Sequence, residues 1–254
     1  MTWPVGNVGG VRVEVHASAL GAVVVATSVL ALGLLPITAQ GQPAVLHWSA
    51  GLAVALAFFA TVVVHELAHA AAARRYGIMT HRIVLWLLGA SGQSRPPPPH
   101  PRADAVIAVA GPAASVTMGS TCWAVAMAVE PLLAPAAIAA LLWLGLANLA
   151  FAVFTLLPGA PLDGGRLVRA AVWRWTGDRD HAESVARRSG RVLGSALVAC
   201  GAATVILFGQ FVGLWLAVAG WVLLGTKAAV PGETGEAGEA DETGETGETG
   251  TVTP

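Results

Sequence analysis

Residues 48–73 form an almost unbroken apolar run of about 25 residues, and the exception inside it is His65-Glu66-Leu67-Ala68-His69. At ~1.5 Å per residue, a run of that length crosses the hydrocarbon core of a bilayer as one helix. Three ionisable side chains within five residues are costly there, at roughly 2.5 kcal/mol or more for a central charge, so they are expected to serve a purpose. A four-residue step returns to nearly the same face of a helix, so His65 and His69 can reach one metal ion. Glu66 is then placed to act as general base toward a water activated by that ion. A soluble zinc protease carries this motif on an amphipathic helix; here it sits in a membrane span.

Composition agrees. Of 254 residues, 55% are hydrophobic and 11% charged, with a mean hydropathy of +0.67. These values fit a polytopic membrane protein and exclude an ordinary soluble domain. The two cysteines, Cys122 and Cys200, lie in apolar runs away from the motif, which argues against a zinc–thiolate site and supports no disulfide.

The pattern along the chain predicts an all-α architecture of about six transmembrane helices, with a small N-terminal strand and a re-entrant β-hairpin. Residues 1–16 form an interfacial segment in which Val11-Arg12-Val13-Glu14-Val15 alternates as a strand does, with His16 at its end. A membrane domain over 17–226 follows. Its spans are expected at about 17–37, 48–73, 104–129, 136–157, 192–208 and 211–226. Residues 78–94 include an apolar piece too short to span, flanked by Arg82 and Arg95, and read as a re-entrant or interfacial hairpin, with a surface amphipathic turn as the alternative. Asp104 is placed to cap the third span, whose Gly111, Ala113, Ala114, Ser115 and Gly119 read as a packing face. The segment 159–191, rich in arginine and tryptophan, suits a helix on an anionic membrane surface; a nucleic-acid role is not supported at that size. Residues 227–254 read as a disordered acidic tail.

Asp163 is the second point of chemistry. Pro158 and Pro161 stop the fourth span, and Gly164 and Gly165 let the chain turn straight after the aspartate. An Asp-Gly pair also serves simply as a helix cap. A catalytic zinc, however, needs three protein ligands, and the two histidines supply only two. His47, His81, His100 and His181 lie in loops or at interfaces, whereas Asp163 lies at a helix break on the side where the second span ends. All 14 Lys and Arg fall in residues 1–16, 74–103, 159–191 or at position 227, and none in 38–47, 130–135 or 208–211. The positive-inside rule puts that face, both termini and the four site candidates on the cytoplasmic side of the inner (plasma) membrane.

The sequence His65-Glu66-Leu67-Ala68-His69, the run Ala110-Gly111-Pro112-Ala113-Ala114-Ser115, and Asn148 followed by Leu156-Leu157-Pro158-Gly159-Ala160-Pro161-Leu162-Asp163-Gly164-Gly165-Arg166 together resemble the site-2 protease family, peptidase family M50. The resemblance covers about residues 5–226 and is closest to the compact six-span bacterial and archaeal branch without PDZ or CBS domains. It implies an intramembrane zinc metalloprotease that holds one zinc ion through His65, His69 and Asp163. Glu66 is then the catalytic base, and Asn148 a residue that positions the substrate or polarises its carbonyl. It also implies single-span membrane proteins as substrates, the lipid bilayer as surroundings, and a hairpin that belongs to a membrane-embedded sheet. Thr155 stands where many members have a second asparagine. A homodimer is compatible with this reading. Two other classes compete with it: a catalytically silent membrane adaptor, and a metal transporter. A transporter would show internal repeats and polar residues on several spans, whereas here these cluster on two.

Overall fold

The computed structural model describes residues 2–86, 89–210 and 212–225; the expected acidic tail at 227–254 lies outside them. The chain opens with strands β1 (Thr2–Val8) and β2 (Val11–His16), then α1 (Ala17–Val29). Leu30–Leu34 widens into a π-turn before α2 (Leu35–Thr38). Pro36 at the start of α2 has no N–H to give, which fits that local loosening. Helix α3 (Ala44–Arg74) carries both histidines, and strands β3 (Met79–Trp86) and β4 (Gly89–Arg95) follow it. Then come α4 (Pro101–Val129), a single 3-10 turn at Glu130–Leu132, α5 (Pro135–Thr155), α6 (Asp163–Thr176), α7 (Arg179–Phe208) and α8 (Val212–Gly225).

Among the described residues, five helical stretches are long and apolar enough to cross a membrane: Ala17–Thr38, Ala44–Arg74, Pro101–Leu132, Pro135–Thr155 and Arg179–Phe208. The expected sixth span corresponds to α8, apolar but only 14 residues and so about 21 Å long. The architecture is that of a polytopic helical membrane protein.

Four strands form one sheet in the order β1-β2-β3-β4. β1 and β2 pair antiparallel, as do β3 and β4, while β2 runs parallel to β3. The hairpin expected at 78–94 is present, and the N-terminal strand joins it. β1 is an addition to the sequence reading. It contains Pro4 and Gly6, which weaken a strand pattern, and its register slips between those two residues. The sheet lies along α3: Val11 and Ile83 pack on Ala70, and Val13 and Leu85 pack on Val62. Val11 and Ile83 are almost fully buried, and burying such a side chain contributes about 1.5–3 kcal/mol. Arg74, at the end of α3, donates to the Gly9 carbonyl and ties the first hairpin turn to the helix.

Two local expectations change. His100, not Asp104, caps α4: its Nδ1 accepts from the Ala103 amide at 3.1 Å. The basic segment is not one surface helix but α6 plus the first turns of α7, which continue directly into the fifth span. A helix in water and a helix in lipid share one hydrogen-bonding pattern, so a change of solvent need not interrupt it.

Candidate metal centre

His65 and His69 project from one face of α3, and Asp163 is the first residue of α6. The 98 residues between His65 and Asp163 do not keep them apart: Asp163 Oδ2 lies 3.2 Å from His65 Nε2. Its Oδ1 lies 3.2 Å from His69 Nε2, and the two Nε2 atoms are 3.1 Å apart. The imidazoles meet edge to face with ring centroids 4.8 Å apart. Each of the three residues offers one ligand atom, and these atoms all fall within 4.8 Å of one another.

The outer nitrogens are engaged. His69 Nδ1 donates to the Ile107 carbonyl at 2.6 Å, and His65 Nδ1 meets Ser115 Oγ at 2.9 Å. A carbonyl can only accept, so the His69 proton belongs on Nδ1 and the neutral ring presents a bare Nε2 to the centre. Two ring nitrogens and a carboxylate converging on one point can share a single cation between them. That donor set, two imidazoles and one carboxylate with the outer nitrogens hydrogen-bonded, suits a divalent transition metal.

Gly111 completes the cradle. A Cβ there would fall well inside van der Waals contact of both Nε2 atoms, so only glycine leaves this space to the paired rings. His65 is buried and touches Phe151 of α5 edge-on at 5.0 Å.

The Asp163 loop is built by close backbone packing. A Cβ on Gly164 would meet the Leu156 and Leu157 carbonyls, and one on Gly165 would meet the Ala160 amide. The Ala160 amide donates to the Ala186 carbonyl of α7 at 3.1 Å, and the Ala160–Pro161 peptide is cis.

Glu66 follows His65 on α3 and forms no ion pair among the described residues. Asn148, almost fully buried on α5, lies one helical turn from Phe151. Its Nδ2 donates to the Leu144 carbonyl at 2.9 Å, while Oδ1 is buried with no partner among the described residues. Thr155 donates to the Ala152 carbonyl at 3.2 Å.

The remaining histidines stay apart from this centre. His47 bonds to the Ala39 carbonyl, His16 accepts from the Ser18 amide at the start of α1, and His100 packs edge-on against Tyr76 while capping α4. Gly111 and Ser115 were legible in sequence only as part of a small-residue packing face, and Ile107 carried no signal of its own. Their spacing of four and four residues on α4 is the signal that one face serves one purpose.

A family model described as Peptidase family M50 matches residues 53–133 and 124–197. The chain is 41% identical over 221 residues to a protein of Mycobacterium tuberculosis named as the zinc metalloprotease Rip3, covering 87% of this chain and 56% of that one. It is 35% identical over 194 residues to a Synechocystis protein named as the zinc metalloprotease sll0528, covering 76% and 49%. The chain thus spans about half the length of these curated relatives. A solved site-2 protease from Methanocaldococcus jannaschii superposes with a TM-score of 0.58 at 22% identity, over 87% of this chain and 94% of that one, a likeness of fold.

Proposed function

The chain belongs to peptidase family M50, and from that premise we propose that it is an intramembrane zinc metalloprotease. It hydrolyses a peptide bond in or near the transmembrane segment of single-span membrane proteins. The observation that carries this reading is the convergence of His65, His69 and Asp163, with their three ligand atoms within 4.8 Å of one another and Glu66 beside them in the chain.

His65, His69 and Asp163 would hold the zinc ion. When bound, such an ion supplies Lewis acidity to water and to the scissile carbonyl. The chain's own residues do the rest. The Ile107 carbonyl and the Ser115 hydroxyl hold the imidazoles in place through their outer nitrogens. Glu66 takes a proton from the attacking water. As the C–N bond breaks and the acyl carbon keeps the hydroxyl, Glu66 passes that proton to the departing nitrogen. The free acceptor of Asn148 suits an N–H of an unwound substrate strand better than its carbonyl. β4 stands at an edge of the sheet, where such a strand can add by main-chain pairing. The clustering of cations on one side supports an inner-membrane protein with the metal centre toward the cytoplasm.

The test is Glu66→Gln, which keeps the ligand set and removes the base. Membrane proteomics of cells carrying this variant should show single-span proteins accumulating uncut, while the purified variant retains zinc. Full cleavage by the Glu66→Gln protein would sink the proposal.

A further inference from the structure

Helix α4 turns a single stripe toward the centre: Asp104, Ile107, Gly111 and Ser115, at steps of three, four and four residues. Ile107 and Ser115 hold the two histidines, and Gly111 makes room for them. Asp104 forms no bond to either. It is fully buried, and both of its oxygens are taken by the guanidinium fork of Arg169, with Nε at 2.7 Å and Nη2 at 2.8 Å. Arg166 Nε approaches the same carboxylate at 3.5 Å, and Arg169 Nη1 reaches Glu183 of α7 at 2.7 Å.

Arg166 and Arg169 lie three and six residues beyond Asp163, on the helix that Asp163 begins. That helix has no side-chain hydrogen bond at its N-cap Leu162, so no side-chain cap fixes where it starts. A buried ion pair is weak evidence for stability, because a well-packed apolar pair often serves as well; fixing register is its better-attested use. A bidentate fork defines both distance and orientation. Held at α4 on one side and α7 on the other, α6 has little freedom to slide.

We infer that the Asp104–Arg169 pair, braced by Glu183, is a positioning device that sets Asp163 at the depth of the histidine pair, so that one stripe of α4 registers all three metal-binding side chains. This rests on the metal-site reading above. Arg169 is then a positioning residue rather than a membrane-surface anchor.

The test uses the purified full chain in detergent with Co2+ as probe, read by affinity and by the visible d–d absorption that reports coordination geometry. Asp104→Asn and Arg169→Gln should each weaken Co2+ binding by about tenfold or more and alter the band shape. The double variant Asp104→Asn/Arg169→Gln leaves no charge buried alone. It should melt close to wild type, yet bind Co2+ no better than the single variants, because the two residues act as one device. A double variant with wild-type affinity and spectrum overturns the inference, as does loss of the fold in all three, which would assign the pair to stability alone. Wild-type protein that takes up no Co2+, or whose uptake ignores His65→Ala, overturns the metal-site reading instead.

Discussion

Gly111 and Gly201 both lie where two helices meet, and they guard different things. The space beside Gly111 belongs to side chains, namely the Nε2 ends of His65 and His69. The space beside Gly201 belongs to backbone, where a Cβ would meet the Gly213 carbonyl and the Ala217 amide of α8. Gly220 repeats that pattern against the Gly194 carbonyl, so α7 and α8 are joined along their length by close backbone approach. Around the metal centre, by contrast, α3, α4 and α6 are joined by hydrogen bonds and ion pairs between buried polar groups. Lipid-facing helices gain little from hydrophobic association, so close packing and polar bonds are the remaining adhesives. The α7–α8 pair uses the first, which tolerates small shifts. The centre uses the second, which fixes positions to a few tenths of an ångström.

The sharpest break of this contrast is Gly111→Ala. The rings it displaces are the far ends of side chains and can swing away, so the helices need not part. The expected outcome is a protein that folds and melts near wild type but has lost essentially all specific zinc binding, measured by metal content after dialysis. Retention of stoichiometric zinc would show that the rings have more room than the packing indicates. Next in size is Gly201→Leu. Here the obstacle is backbone, so α8 must move off α7, at a cost of about 3 kcal/mol. A lower melting temperature with unchanged zinc affinity is expected, because no side chain of the centre comes from α7 or α8. Loss of zinc binding in this variant would show that the two regions are coupled more tightly than the contrast allows.

How much of this was legible beforehand follows the same division. His65, Glu66 and His69 announce themselves because polar groups in a lipid-length run are costly, and Asp163 because prolines and glycines bracket it. The helical membrane class followed from apolar run length alone. What stayed hidden depended on partners remote in sequence. Asp104 at a helix start looks like a cap, and nothing nearby reveals that its carboxylate is taken by Arg169, 65 residues on. The arginines of 166–191 looked like a membrane-surface face, because charge patterning cannot distinguish a solvated cation from one buried against a carboxylate. Trp175 does remain exposed, as that reading expects. β1 was obscured by Pro4 and Gly6, which local propensity counts against a strand although the sheet absorbs them as an irregularity.

The smallest expected effect tests the polar side of the contrast at a single bond. Ser115→Ala removes the hydroxyl that His65 Nδ1 meets at 2.9 Å, without adding volume or charge. Ser115 is fully buried, so water has little access to replace the lost partner. Its ring would then be held by packing against Phe151 and by whatever binds Nε2. Partners of this kind are typically worth ten- to a hundredfold in metal affinity, and the lower end, roughly 1.4 kcal/mol, is expected where a second ligand keeps its own support. His69 does keep it, through the Ile107 carbonyl. A competition titration against a zinc-sensitive dye should therefore show about tenfold weaker binding, with the melting temperature of the metal-free protein little changed. Ser115→Thr, which retains the hydroxyl, should recover most of the affinity if the added methyl fits. An alanine variant that binds as tightly as wild type would mean that packing, not hydrogen bonding, orients His65, and the centre would then differ from the α7–α8 pair in degree only.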